Sequence, residues 1–199
     1  MTVNMTAVAQ EVVAAAVAET KAWLRIETAQ DDVALAAACR SAIGMGEDFC
    51  AQRLFRRAGT ETVRAGREWR RLTTCPVRAI GAVSRLSFDG VASLLPVGRY
   101  AVDIGADGDG WVRVMQADSG TGIGAGIGAG IGAGIGAGIG ERVRVDLTAG
   151  IAESWEGLPD PLKQGIVRLA AHLFAENASE APPAIVSALW RPWRRMRIA

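Results

Sequence analysis

The apolar positions of this chain keep a helical period as far as Leu54. They turn to strand-like alternation after Gly59 and become helical again after Leu158-Pro159-Asp160-Pro161. Helix and strand place side chains with different periods, so one such run cannot settle as the other. The order helices, strands, helices therefore predicts an α+β fold, a small helical bundle interrupted by a β-rich insertion. The divisions follow: 1–10 a loose leader, 11–58 N-terminal helices, 59–150 the β-rich insertion, 151–190 C-terminal helices, and 191–199 an arm.

Within the first helical part, residues 11–26 favour helix. Thr28 and Asp31 have the spacing of a capping box, and a long helix is expected over 31–57. Leu35, Cys39, Ala42, Ile43, Phe49, Cys50 and Leu54 make one stripe on it. Gly44 and Gly46 weaken its middle and suit a kink or a close helix crossing. Strands are expected near 61–72, 77–88, 99–104, 111–115 and 142–148. The last is the clearest, with Val143, Val145 and Leu147 alternating with Arg142, Arg144 and Asp146. Asp89-Gly90 and Asp107-Gly108-Asp109-Gly110 signal turns. In the second helical part Asp160 suits an N-cap with Pro161 at N1. Leu162, Ile166, Leu169, Leu173 and Phe174 form its stripe, and Pro192 stops the short helix that follows.

The composition is that of a globular chain: 199 residues, 50% hydrophobic and 22% charged, enough for one sizeable core. Of the 24 glycines, 11 fall between Gly120 and Gly140, so the excess is one local tract. There Gly occupies every even position from 122, and Ile123, Ile127, Ile131, Ile135 and Ile139 alternate with Ala at the odd ones. An extended chain would put Ile and Ala on one face and bare Gly on the other, so this Gly/Ile-rich segment is expected to be a loop or hairpin whose isoleucines make contacts. The same uncharged stretch, 119–140, is long enough to cross a bilayer and spaces Gly like close-packing membrane helices, which makes a membrane-active protein the rival reading. Its glycine content and the lack of an aromatic belt speak against that, so no membrane partner is expected.

The net charge of +1 excludes a polycation that coats nucleic acid. The last ten residues nonetheless hold Arg191, Arg194, Arg195 and Arg197 and no acid. Arg-rich, Lys-poor usage with abundant Ala, Val and Gly suits a GC-rich bacterial source. Cys39, Cys50 and Cys75 have neither disulfide-framework nor zinc spacing and read as buried thiols of a reducing compartment. The N-terminus does not read as a signal peptide.

Enzyme chemistry lacks residues. His172 is the single histidine and sits within an apolar helix, and no Ser or Cys has a nucleophile context. The segment 105–116 imitates a calcium loop, but Gly105 and Gln116 stand where charged ligands belong, so it reads as a hairpin turn. The Gly tract brushes the dinucleotide fingerprint, yet a strand follows it and no helix N-terminus is available for a pyrophosphate. No catalytic residue, metal or cofactor is expected.

A set of pieces runs in order along the chain: Lys21-Ala22-Trp23-Leu24-Arg25-Ile26, Asp31-Asp32, Thr74-Cys75-Pro76-Val77, Tyr100-Ala101-Val102-Asp103 and Arg144-Val145-Asp146-Leu147-Thr148-Ala149-Gly150. Leu158-Pro159-Asp160-Pro161-Leu162-Lys163-Gln164-Gly165-Ile166, Leu169 to Asn177 and Pro183 to Trp190 complete it. Together these ordered pieces resemble the head–tail connector (adaptor) proteins of long-tailed bacteriophages, prophages and gene transfer agents. The Gly/Ile insert and the extended N-terminus depart from it. The resemblance implies a non-enzymatic virion protein: a homo-oligomeric ring, usually of about twelve subunits, closed by a heterologous interface. The ring would sit beneath the portal protein in the particle's neck, assembled in the bacterial cytoplasm. It would receive the next neck or tail component, a stopper or tail terminator, and pass double-stranded DNA non-specifically through its lumen.

Two groups of residues are candidates for these contacts. Arg191, Trp193, Arg194, Arg195, Met196, Arg197 and Ile198 combine apolar anchors with charge, as interface hot spots do, and the resemblance directs this C-terminal arm to the portal. With the apolar stripes all upstream, removal of the arm should leave a folded subunit. Arg53, Arg56, Arg57, Arg70 and Arg71 are candidates for a ring interface or the channel, with ring contacts drawn from 31–57 and the β insertion.

Overall fold

In a computed structural model of the chain, residues 2–87, 89–115, 142–175 and 181–195 are described. Strand β1 (Thr2–Met5) precedes helices α1 (Gln10–Leu24) and α2 (Asp32–Cys50). The β region runs through β2 (Arg57–Arg64), β3 (Arg70–Arg71), β4 (Val77–Leu86), β5 (Ala92–Leu94), β6 (Tyr100–Ile104), β7 (Gly110–Val114) and β8 (Arg142–Ala149). Helices α3 (Asp160–Phe174) and α4 (Ala184–Trp190) follow, and a 3-10 turn over Arg191–Trp193 continues α4. The fold is α+β, as expected.

Two antiparallel sheets form, one in the order β1-β2-β8-β4-β5 and one in the order β3-β7-β6. Strand β8 is central, paired to β2 along its full length and to β4 across two register shifts. Val143, Val145 and Leu147 are buried and the residues between them are not, as their alternation requires. With Val63, Leu72, Val77, Val83 and Val112 they build the core of the β layer. A second core belongs to the helices: Val13 and Val17 of α1, Leu35, Cys39 and Ile43 of α2, and Leu162, Ile166 and Leu169 of α3. Phe55 and Trp155 stack within it with centroids 6.1 Å apart.

The expected strand over 61–72 is two, β2 and β3, and the short β5 was not expected; the structure departs from the sequence reading in four further places. Thr2–Met5 is an edge strand paired to Gly59–Thr62, not part of a loose leader. Helix α2 ends at Cys50, short of the expected Arg57. Ala51 turns left-handed at φ 52°, and Gln52 N–H reaches back to the Glu47 carbonyl at 3.1 Å. The chain then runs extended, and Phe55 bridges Ala152. No capping box forms at Thr28: α2 begins at Asp32, its N-cap is Asp31, and no side chain caps it. Helix α3 starts one residue early, at Asp160, with Pro159 as its N-cap.

The crossing foreseen at Gly46 is real, and a second glycine shares it. Trp190 is buried between the two helices, its indole N–H donating to the Leu162 carbonyl at 3.3 Å. A Cβ on Gly165 would fall inside the indole ring, and one on Gly46 would touch it at 3.3 Å. Both helices need a notch for this ring.

Candidate functional site

The C-terminal segment is not a free arm over its described part. Pro192 stops the α-helix, but the 3-10 turn carries the chain back across the end of α2. The Gln52 side-chain amide donates to the Trp193 carbonyl at 2.5 Å, and Arg195 N–H donates to the Cys50 carbonyl at 3.0 Å. Trp193 packs at the rim of the helical core, and the Arg194 guanidinium lies 5.8 Å from the Phe49 ring centroid.

Arg195 makes the farthest contact. Its guanidinium lies 2.9 Å from Asp109 Oδ1 and 3.2 Å from Asp107 Oδ2, and also touches Cys75 Sγ. The turn with calcium-like spacing is thus an arginine receptor. Asp109 also holds Arg71 at 2.6 Å. Gly108, at φ 81°, takes the left-handed conformation of the turn, and Asp109 N–H donates to Asp107 Oδ1 at 3.1 Å. That hydrogen bond, ahead of the nearby Arg195, holds the Asp107 carboxyl below its ordinary range. A strap formed by 191–195 therefore ties the helical layer to the β6–β7 turn. These contacts join the arm to the fold, so its removal is expected to cost stability while the apolar stripes upstream remain in place. Met196, Arg197 and Ile198 lie outside the described residues.

Of the clustered arginines, Arg53 and Arg57 converge on one carboxylate. Glu47, on α2, is 3% exposed and lies 3.0 Å from Arg53 and 2.5 Å from Arg57, while Leu54 N–H donates to its other oxygen at 3.1 Å. The group clamps the chain where it leaves α2 for β2. Arg56 pairs with Glu153. Four of the five candidates, Arg53, Arg56, Arg57 and Arg71, are thus held within the subunit. Arg70 remains, on β3 at the mouth of a cleft between the two sheets.

Sequence reasoning missed that cleft. It has a volume of about 740 Å³ and is lined by Arg64, Arg70, Arg71, Arg142, Trp69 and Trp111 with Thr2, Thr62 and Val63. Arg113 adds its guanidinium 4.6 Å from the Trp69 ring centroid. Arg64 and Arg142 are direct cross-strand partners. Arginine density between 64 and 71 was the visible signal, but the pairing with Arg142 depends on register across the whole insertion.

Among the described residues there is no cluster of His, Cys, Asp and Glu that could hold a metal. No helix among them is long and apolar enough to cross a membrane. Ile123, Ile127, Ile131, Ile135 and Ile139, and with them the expected hairpin and the membrane rival, lie outside the described residues. His172 is half-buried in the last turn of α3. Burial raises the thiol pKa of Cys39, and that of Cys50 to about 11, in keeping with structural cysteines.

No family model and no curated protein matches the chain. Solved structures do. A chain in the neck of an empty gene transfer agent particle, computed with C6 symmetry, is 26% identical with a TM-score of 0.72, over 100% of this chain and 98% of that one. A chain in the virion of a native gene transfer agent particle is 24% identical with a TM-score of 0.69, over 100% and 98%. A chain in the neck of a native particle, computed with C12 symmetry, is 24% identical with a TM-score of 0.67, over 98% and 97%. The fold is therefore shared along its whole length with a neck chain of a phage-like particle, in agreement with the resemblance read from the sequence.

Proposed function

We propose that this chain is a non-enzymatic structural protein, the head–tail connector of a gene transfer agent or tailed-phage-like particle. It forms a homo-oligomeric ring in the neck, between the portal protein and the next neck or tail component. One observation carries the reading: the likeness to a gene transfer agent neck chain spans both chains almost completely. Twelvefold closure fits both neighbouring symmetries, since a twelvefold ring contains a sixfold axis. A subunit with two cores of its own can exist before the ring closes.

The ring would extend the DNA channel, and double-stranded DNA would meet it only through backbone electrostatics. The portal contact is assigned to the C-terminal end. Arg195 holds its root, leaving Arg191 and Arg194 exposed beside it and Met196, Arg197 and Ile198 beyond it. Ring contacts would draw on α2 and the β layer, with the isoleucines of the repeat as an added contact.

The test is composition and image together. Particles purified from the producing bacterium should contain this chain and the portal in equal copy number, and images of the neck should place it directly below the portal. One or two copies per particle, or its recovery in the membrane fraction, would overturn the reading.

A further inference from the structure

We propose that the cleft between the two sheets is a binding site for the phosphodiester backbone of DNA, with Arg64, Arg142 and Arg70 as the residues that hold phosphates. The proposal rests on the connector reading, which brings duplex DNA past every subunit, and adds the surface that meets it.

The argument starts from a repulsion. Arg64 on β2 and Arg142 on β8 face each other in register, both exposed on one side of the sheet. Like charges directly opposite on neighbouring strands destabilise a sheet. Neither has a carboxylate partner among the described residues. Arg70 enters the same cleft from the second sheet, and no Asp or Glu lines it. Arg71 is the one guanidinium there that is neutralised, by Asp109. Several other arginines of this chain are paired within the subunit, at Glu47, Glu153, Asp107 and Asp109. What sets Arg64, Arg70 and Arg142 apart is that three guanidiniums without a carboxylate partner among the described residues converge on one concavity.

The chemistry favours phosphate. Guanidinium groups present planar forked donors that match phosphate oxygens, and several in one groove hold neighbouring phosphates at once. Trp69, braced on one side by Arg113, and Trp111 give the cleft flat walls that suit sugar and backbone without reading base edges. Binding should therefore be independent of sequence and steep in salt.

The experiment measures binding of the full-length chain to a fluorescent random-sequence duplex by anisotropy, over a salt series. The variants are Arg64→Ala/Arg142→Ala and the same with Arg70→Ala. We expect the double variant to bind at least ~10-fold more weakly at low salt. Each lost phosphate contact should also lower the slope of log affinity against log salt by roughly 0.9. The double variant should melt no lower than the parent, because it relieves a repulsion; a merely structural pair would show the reverse. Unchanged affinity and slope in the triple variant would overturn the proposal, as would polyglutamate binding more tightly than the duplex, which would point to an acidic protein partner. Copy number in purified necks is read separately, so failure here and failure of the connector reading are distinguishable.

Discussion

The helical layer and its junction with the β layer are held together by different means. Inside the helical layer the contacts are apolar and shape-specific: two helices notched by Gly46 and Gly165, with the Trp190 ring filling both notches. At the junction they are ionic and backbone-directed: Arg53 and Arg57 on Glu47, and Arg195 on Asp107 and Asp109. The first kind resists truncation of a side chain through cavity cost. The second resists loss of one partner because a charge is stranded away from water. A rigid core with ionic joints suits a subunit that must keep its shape while its edges meet neighbours.

The contrast can be broken at graded points. Trp190→Ala should cost the most, about 4 kcal/mol of folding stability, since it empties both notches at once; thermal unfolding measures it. Glu47→Ala should cost about 3 kcal/mol, because Arg57 loses its partner at a site where its side chain is only 11% exposed. The conservative Glu47→Gln should recover part of this, which would separate charge from shape. A fall in melting temperature for Glu47→Ala as large as for Trp190→Ala would erase the distinction between core and joint.

Truncation after Trp190 should destabilise by about 1.5 kcal/mol through loss of the Arg195 contacts. It should also open Cys50, whose thiol has a pKa near 11 and sits under the strap. Alkylation of Cys50 at mildly alkaline pH should therefore be slow in the whole chain and faster in the truncated one. Equal rates would show that the strap does not cover it. The smallest effect is in pH. The folded Asp107 pKa lies below its ordinary 3.8, so its contribution is fully present at neutral pH. It is lost as pH falls below 3.8 through the folded value. Asp107→Asn should remove that part of the acid sensitivity of the strap, read by fluorescence of Trp193.

Much of the core was legible because local periodicity reports burial. Leu162, Ile166 and Leu169, and Val143, Val145 and Leu147, lie where a single period puts them. The end of α2 was not legible, because Ala51 adopts a left-handed conformation without the Gly or Asn that normally announces one. Thr2–Met5 carries no pattern of its own; it is a strand because β2 offers an edge far along the chain. The intrachain contacts of the strap were hidden for the same reason. Trp193 and Arg195 look like residues for a partner, and their partners are Gln52, Cys50, Asp107 and Asp109 of the same chain, 86 positions away in the case of Asp109. The arginine candidates divided likewise: local density showed a cluster, and only register showed that Arg64 and Arg142 face each other.

The helical core also has a history in time. Val13, Val17, Leu35 and Ile43 leave the ribosome before strands β2 to β8, and Leu162, Ile166, Leu169 and Trp190 leave it after them. At a pace of roughly 5–20 residues per second, the first two helices wait for several seconds with their apolar stripes uncovered. Strands β2 to β8 are made while that surface is still open. Residues from Trp190 to Arg195, made after both layers, are the ones that fill the notches and fasten the strap. A chain released early would carry an uncovered core and a loose end together. The segment made after both layers is thereby the one that closes the helical layer, and only subunits that carry it would present that layer closed for assembly.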